Sequence, residues 1–163
     1  MKKSALKGQQ SMRLLVDTNV ILDFLLQRDG FFDSAQALIV GESDTSVEIV
    51  SASAITDIHY TVVSALKKSG YAATEAEASM ISQQRISQLL SFVSIVPVSS
   101  DNIEFALELA WVDFEDAVQY SVAVANGVDY IITRDQKGFR EGEIPFLTPA
   151  EVLKIIRDMK STP

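Results

Sequence analysis

The sequence predicts an α/β domain with a mainly parallel sheet of four or five strands. Short apolar or β-branched runs alternate with longer segments in which apolar residues recur at helical spacing, and this alternation is typical of parallel sheets joined by helices. The chain has 163 residues, 47% of them hydrophobic, so one core of ordinary size can be buried. We expect a single domain over 12–160, preceded by a flexible tail over 1–11.

The first half of the chain contains two predicted strands and four predicted helices. The apolar run at 13–16 and the short β-branched segment at 45–50 are both predicted to be strands. The predicted helices span 20–27, 31–40, 53–68 and 75–90. Arg28-Asp29-Gly30 separates the first two helices, Ser69-Gly70 ends the third, and Thr74 is the expected cap of the fourth.

The second half continues the same alternation. The predicted strands are 92–98, 128–133 and a fragmentary 146–148, and the predicted helices are 103–110, 114–125 and 150–159. The expected helix caps are Ser100 or Asp101, Asp113, and Thr148 at N-termini, and Asn126-Gly127 at a C-terminus. Pro149 suits a first helical position, and Pro97 places the end of the third strand at the margin of the sheet because proline cannot donate to a ladder.

The composition excludes several kinds of site. Cysteine is absent and there is one histidine, which excludes disulfides, thiol nucleophiles and Cys- or His-rich zinc sites. From Met12 onward, eleven Lys and Arg face 22 Asp and Glu, because Lys2, Lys3 and Lys7 precede it, and the formal charge of that part is −11. Binding of nucleic acid would therefore need bound metal or a basic rim. No apolar run is long enough to span a membrane, and we expect a soluble, cytoplasmic protein.

Four aspartates are predicted to meet at the carboxyl edge of the sheet, where ligands of parallel α/β proteins gather. Asp17 directly follows the first strand, and Asp135 lies two residues past the fourth. Asp57 lies near the start of the helix that is entered from the second strand. Asp116 begins a helix that runs back for roughly 20 Å, at about 1.5 Å per residue, to the amino end of the fourth strand. Four chain segments therefore bring a carboxylate to one edge.

Each aspartate also has an ordinary structural role open to it. Asp17 could cap the following helix, and Asp57 could be a surface acid. Asp116 could face the helix dipole, and Asp135 could stabilise a turn. Four such roles do not together explain why the four carboxylates would meet at one edge, since like charges held close without a counter-ion cost stability. A divalent cation would remove that repulsion.

The donor set favours particular metals. Oxygen ligands without Cys or paired His favour Mg²⁺ or Mn²⁺ over Zn²⁺. One such ion, or two about 3.5–4 Å apart, would activate water and stabilise the charge on a phosphodiester. The sequence therefore predicts phosphoryl chemistry without a side-chain nucleophile. The usual nucleotide-binding motifs, G-x-x-x-x-G-K-[ST] and G-x-G-x-x-G, do not occur, and Asn19 stands where a haloacid-dehalogenase phosphatase needs a second Asp.

Four motifs in order resemble the PIN-domain nucleases, the family that includes VapC-type toxins. They are Leu14–Asp23, Ser51–Tyr60, Asp113–Gln119 and Tyr130–Asp135, and the resemblance extends from Met12 to about Leu153. It implies a PIN-like three-layer α/β/α fold and an Mg²⁺- or Mn²⁺-dependent endoribonuclease that hydrolyses RNA phosphodiester bonds. For the toxin subset it also implies an antitoxin protein, encoded alongside, that blocks the site, and a homodimer.

The resemblance assigns roles residue by residue. The four acidic positions would be Asp17, Asp57, Asp116 and Asp135, with Asp at 57 where many relatives have Glu. Asp113 and Glu115 would supplement Asp116, and Asn19 and Thr133 match polar positions that orient water or a carboxylate.

Substrate contact and catalysis each leave an alternative open. Arg134, Lys137 and Arg140 follow the last acid closely and are the expected RNA contacts, although a solvated loop would account for them as well. The rival to the nuclease is a non-catalytic PIN-fold module that binds nucleic acid or a protein partner. The presence of all four acids favours the nuclease.

Overall fold

Five parallel strands form the centre of the protein. The computed structural model describes residues 11–41, 45–135 and 137–161, so the expected tail lies outside the described residues except for Ser11. The strands are β1 Met12–Val16, β2 Ser46–Ser51, β3 Ser94–Val96, β4 Tyr130–Ile132 and β5 Phe146–Leu147. Their order in the sheet is β3-β2-β1-β4-β5, and every neighbouring pair is parallel. The predicted fold class is confirmed.

Helices connect the strands and cover both faces of the sheet. They are α1 Thr18–Leu25, α2 Phe32–Ile39, α3 Ala52–Lys68, α4 Glu75–Leu89, α5 Ser100–Leu109, α6 Phe114–Ala125 and α7 Pro149–Ser161. Each corresponds to a predicted helix within a few residues. Within the described ranges, no helix is long and apolar enough to cross a membrane.

The two faces of the sheet have separate cores because successive strand residues point to opposite sides. Leu14 and Val16 of β1 pack with α1, α2, α3, α4 and α7 on one face. Leu15, between them, packs with Phe139 and with α6 on the other face, and α5 packs against α6. The result is a three-layer α/β/α arrangement.

The strand order creates a crevice at the carboxyl edge between β1 and β4. The chain winds outward from β1 through β3 on one side and then through β4 and β5 on the other. Val16 lies opposite Ile132 in the ladder, and the N–H of Asp17 donates to the carbonyl of Ile132 at 2.9 Å. Ligands of open parallel sheets bind at such a switch in direction, so the fold places Asp17 in the expected position.

One cap differs from the prediction. Helix α5 begins at Ser100 and is capped by Ser99, whereas Ser100 or Asp101 was expected to cap a helix starting at Ile103. Ser99 Oγ accepts from the N–H of Asn102, and the Asn102 side chain accepts from the N–H of Ser99. This reciprocal pair satisfies two donors at the helix start. The expected caps Thr74 and Asp113 are confirmed by side-chain hydrogen bonds to the first turns of α4 and α6.

Candidate active site

Asp17 is a buried carboxylate at the end of β1. Its relative exposure is 4%, and although it occupies the N-cap position of α1, its side chain makes no capping hydrogen bond. The capping role left open by the sequence is therefore not the role of this side chain. Three side chains donate to it instead: Asn19 Nδ2 at 2.6 Å and Thr133 Oγ1 at 2.8 Å to Oδ2, and Gln119 Nε2 at 3.0 Å to Oδ1. Its direction is thus fixed by three elements.

Thr133, which follows β4, links the parts of this network. Its hydroxyl donates to Asp17 and accepts from Asn19 Nδ2 at 3.0 Å and from the N–H of Asp135 at 2.9 Å. The N–H of Arg134 donates to Asn19 Oδ1 at 3.3 Å. The predicted supporting residues Asn19 and Thr133 therefore tie the start of α1 to the segment after β4.

The N-terminus of α6 brings a second acidic group to the same edge. Asp113 Oδ1 accepts from the N–H groups of Glu115 and Asp116, at 2.9 and 3.2 Å, which is the capping geometry that the sequence predicts. The Thr18 hydroxyl donates to Glu115 Oε1 at 3.0 Å. The Asp116 carboxylate makes no hydrogen bond with any described residue. A Cβ built on Gly138 would overlap Asp116 Oδ2, so glycine at 138 lets the backbone approach this carboxylate closely.

The acidic side chains raise one another's pKa. Partial burial, followed by repulsion from Asp17, Asp113, Glu115 and Asp135, raises the pKa of Asp116 to about 7. Burial also raises the pKa of Asp17, against the lowering effect of the hydrogen bonds from Thr133 and Gln119. Clustered acids with shifted pKa values are typical of functional sites, although structural networks produce them too.

Glu115 connects Asp57 to this group. Burial raises the pKa of Glu115, and repulsion from Asp57 and Asp17 raises it further. Asp57 lies in the second turn of α3 and is exposed. The structure therefore brings Asp17, Asp116 and Asp135 into mutual electrostatic range, and it places Asp57 within electrostatic range of Glu115.

Asp135 also has the turn role that the sequence left open. Its Oδ1 accepts from the N–H of Lys137 at 2.9 Å, a local contact that stabilises a turn. The side chain is otherwise exposed.

The donor chemistry of the site fits a hard divalent cation. Every acidic candidate offers carboxylate oxygens, and the pKa of Asp116 is raised first by burial and then by the negative charge of its acidic neighbours. Among the described residues, no three Asp, Glu or His side chains are arranged so that they could hold a metal ion as they stand. The metal ligands remain a prediction.

Gln119 is a site residue that the sequence reasoning did not single out. It is 1% exposed, donates to Asp17, and its Oε1 has no hydrogen-bond partner within the described part of the chain. An available signal was its spacing, since Gln119 follows Asp116 by three residues and so lies on the same face of α6.

The three expected RNA-contact residues have different surroundings. Lys137 and Arg140 are exposed, and their side chains make no ion pair with any residue that the structure describes. Arg134 Nε forms an ion pair with Oδ2 of the buried Asp23 at 2.9 Å, and its guanidinium lies over the ring of Phe31. Asp23 was not a predicted site residue.

A known protein family matches most of the chain. The sequence profile described as PIN domain matches residues 13–137, which is most of the chain and contains every candidate acid. The chain belongs to the PIN domain family. The resemblance inferred from the four motifs is therefore confirmed. No curated protein matches the chain.

Solved structures with the same fold include a toxin and a toxin–antitoxin complex. FitAcB from Neisseria gonorrhoeae is similar with a TM-score of 0.61 at 14% identity, over 84% of this chain and 98% of that chain. VapC20 from Mycobacterium tuberculosis, described as a sarcin-ricin loop cleaving toxin, has a TM-score of 0.59 at 16% identity, over 79% and 95%. A toxin–antitoxin complex from Klebsiella pneumoniae has a TM-score of 0.54 at 25% identity, over 83% and 97%.

Proposed function

We propose that this PIN-domain protein is a metal-dependent endoribonuclease that hydrolyses RNA phosphodiester bonds. The observation that carries the proposal is the group of carboxylates that different chain segments bring to the β1–β4 crevice. Partial burial, followed by repulsion within this group, raises the pKa of Asp116 to about 7. Membership of the PIN domain family supports the same reaction class. So does the similarity to VapC20, a sarcin-ricin loop cleaving toxin.

The residues proposed to hold Mg²⁺ or Mn²⁺ are Asp17, Asp57, Asp116 and Asp135. A bound ion of this kind would supply an activated water and positive charge for the phosphate oxygens. Asp17 is the best-oriented of the four, because Asn19, Thr133 and Gln119 fix both of its oxygens. Side chains that orient a metal ligand in this way typically affect metal affinity or activity strongly.

The remaining residues of the edge shape access and charge. Gly138 leaves room for the Asp116 carboxylate, and the Glu115–Thr18 hydrogen bond holds the first turn of α6 against the first turn of α1. Lys137 and Arg140 are exposed cations close to Asp135 and are proposed to contact RNA phosphates. They would offset part of the negative charge that otherwise repels a polyanion.

We further propose that the protein acts with an antitoxin and forms a homodimer. Support for the antitoxin comes from the structural neighbours, which include VapBC2 from Rickettsia felis and the Klebsiella pneumoniae toxin–antitoxin complex. We expect a short open reading frame next to this one. Its product should co-purify with the chain and suppress its activity. The dimer is tested by the mass of the purified chain in solution.

The nuclease proposal is tested by incubating total RNA with the purified chain. RNA should be cleaved in Mn²⁺, remain intact in EDTA, and be cleaved again when Mn²⁺ is added in excess over EDTA. Equal cleavage in Mn²⁺ and EDTA would contradict metal dependence. Intact RNA under every condition would favour the non-catalytic alternative.

A further inference from the structure

Two arginines share one buried carboxylate beside the acidic edge. Asp23 of α1 is 2% exposed, and its two oxygens pair with Arg28 Nη1 at 3.3 Å and with Arg134 Nε at 2.9 Å. We refer to these three residues as the arginine cluster. One acid compensates two guanidinium groups, so the cluster retains one positive charge in a chain whose formal charge is −8.

The geometry leaves much of both arginines available to a ligand. Their side chains are 35% and 33% exposed. Arg134 uses only Nε toward Asp23, and in the described part of the chain its two Nη groups have no hydrogen-bond partner. Such an open pair of N–H groups matches the oxygens of a phosphate in a two-point contact. Asp29, in the same turn as Arg28, makes no ion pair with either arginine within the described residues.

The cluster is held in place before any ligand arrives. The guanidinium of Arg134 lies 4.3 Å from the centroid of the half-exposed Phe31 ring, an arrangement that restricts its motion. The N–H of Arg28 donates to the carbonyl of Asp23, and the carbonyl of Arg28 accepts from Phe31. Pre-orientation lowers the entropy cost of binding.

The cluster adjoins the candidate active site through one residue. Asn19 and Asp23 are four residues apart on α1 and therefore share a face. Asn19 accepts from the N–H of Arg134 and donates to Asp17, while Asp23 holds the side chain of the same arginine. A ligand on the arginine cluster would thus lie next to the acidic edge.

We propose that the arginine cluster is a phosphate-binding subsite for the RNA strand, which binds a phosphodiester adjacent to the one that is cleaved. The inference rests on the proposed function for its substrate. In this proposal Arg28 and Arg134 bind the phosphate and Asp23 positions them. The arginine cluster provides the local positive charge that the acidic domain needs to hold a polyanion. The ring of Phe31 packs against the guanidinium of Arg134 and restricts its motion.

Affinity and its salt dependence test the subsite. The probe is a labelled single-stranded oligoribonucleotide, measured by fluorescence anisotropy in an Asp17→Asn background so that the RNA stays intact. Arg28→Gln and Arg134→Gln should each weaken binding about tenfold and reduce the slope of log K against log salt by about 0.7, the value for one phosphate on a single strand. Lys67→Gln is the matched control, because it removes a cation at the far end of α3, roughly 22 Å from the helix start at about 1.5 Å per residue. It should change neither quantity.

Two further readouts separate binding from a structural role. Arg134→Lys, which keeps the charge but loses the two-point geometry, should retain the salt slope and bind less tightly than wild type. In the otherwise native chain, Arg28→Gln should raise KM for RNA cleavage with little change in kcat, because Arg28 contacts neither Asp17 nor Asn19. An affinity and salt slope for Arg28→Gln equal to those of Lys67→Gln would overturn the subsite.

The proposed function and the subsite can fail separately. Wild type that cleaves RNA, while Arg28→Gln and Arg134→Gln match wild type in KM and affinity, would overturn the subsite alone. Conversely, the wild-type chain could bind RNA through both arginines and yet cleave nothing in Mn²⁺. That result would overturn the nuclease proposal and leave the subsite standing.

Discussion

The hydroxyl of Thr133 donates a hydrogen bond of 2.8 Å to Oδ2 of Asp17, although the two residues are 116 positions apart in the chain. They meet because β1 and β4 are neighbouring parallel strands whose carboxyl ends share one edge. The same hydroxyl accepts from the N–H of Asp135. One side chain therefore sets both the direction of the first acid and the path of the loop that carries the last.

Removal of this hydroxyl should harm the site more than the fold. Thr133→Val keeps the volume but deletes the donor to Asp17, and we expect a stability loss of about 1–3 kcal/mol for the buried groups left unpaired. Cleavage should fall by about 10- to 100-fold, as is typical when a residue that orients a metal ligand is lost. Thr133→Ser, which restores the hydroxyl, should recover most of the activity. Equal loss in both variants would contradict this account, because restoring the hydroxyl would then not restore the activity.

Asp116 should make the stability of the metal-free protein depend on pH. Its pKa is raised from 3.8 to about 7 in the folded protein, so the folded state binds this proton more tightly than the unfolded chain does. The free energy of unfolding should therefore decrease as the pH rises from about 4 to about 7, and the destabilisation is complete above that range. After allowance for solvent screening of a half-buried group, Asp116→Asn should be more stable than wild type by about 1 kcal/mol at pH about 8.

Urea denaturation at pH about 4 and pH about 8, with EDTA present, measures this difference. The two proteins should differ least at the lower pH, where Asp116 is protonated in the folded state and still about half protonated in the unfolded chain, and diverge at the higher pH. A stability difference that is the same at both pH values would contradict the assignment of the raised pKa to Asp116.

Bound metal should stabilise the protein through the same carboxylates. A ligand that binds only the folded state adds about 2.7 kcal/mol when its concentration is about 100 times Kd. Mn²⁺ should therefore raise the Tm of wild type, and the increase should be lost in Asp116→Asn. Asp101→Asn, which removes an exposed acid from the first turn of α5, is the control and should keep the full shift. The account is wrong if Asp116→Asn and Asp101→Asn respond to Mn²⁺ alike.

Gly138 should be required for the position of Asp116. A Cβ at this residue would overlap Asp116 Oδ2, and because that oxygen ends a flexible side chain, the carboxylate should move aside with little loss of stability. We expect Gly138→Ala to lower cleavage by about tenfold or more.

Gly127→Ala provides the contrast to Gly138→Ala. Gly127 has a φ of +58° and no heavy atom within 4 Å of a built Cβ, and it lies before the amino end of β4, away from the site. Its substitution should cost about 1–2 kcal/mol of stability without changing the rate of cleavage by the folded protein. Full activity in Gly138→Ala would remove Gly138 from the site.

The fold and the identity of the acidic edge could be predicted because they depend on local patterns and connectivity. The apolar run before Asp17 and the Asp113 cap of α6 are each visible in a few adjacent residues. The parallel sheet then dictates which chain ends meet. The strand order was not predicted, since nothing in the pattern of β3 or β4 specifies its neighbour.

The contacts that orient the site could not be predicted, because they join distant residues through side-chain geometry. Gln119 donates to Asp17 across 102 positions. Its spacing from Asp116 indicates a shared face of α6, but it does not specify Asp17 as the partner. Arg134 was expected to meet RNA, but its ion pair with Asp23 depends on how α1 packs beside the loop after β4. The shift of the α5 cap to Ser99 reflects a choice among three adjacent capping residues that only the reciprocal bond with Asn102 decides.

The central claim is that the carboxylates of the β1–β4 crevice carry out RNA hydrolysis with a divalent cation. The most direct measurement is the cleavage rate of one defined RNA by wild type and by Asp17→Asn in the same Mn²⁺ buffer, with circular dichroism to verify that both are folded. Asp17→Asn preserves the shape of the side chain and removes its charge, and we predict a decrease of about 100-fold or more. A folded Asp17→Asn variant that cleaves this RNA at the wild-type rate would contradict the claim.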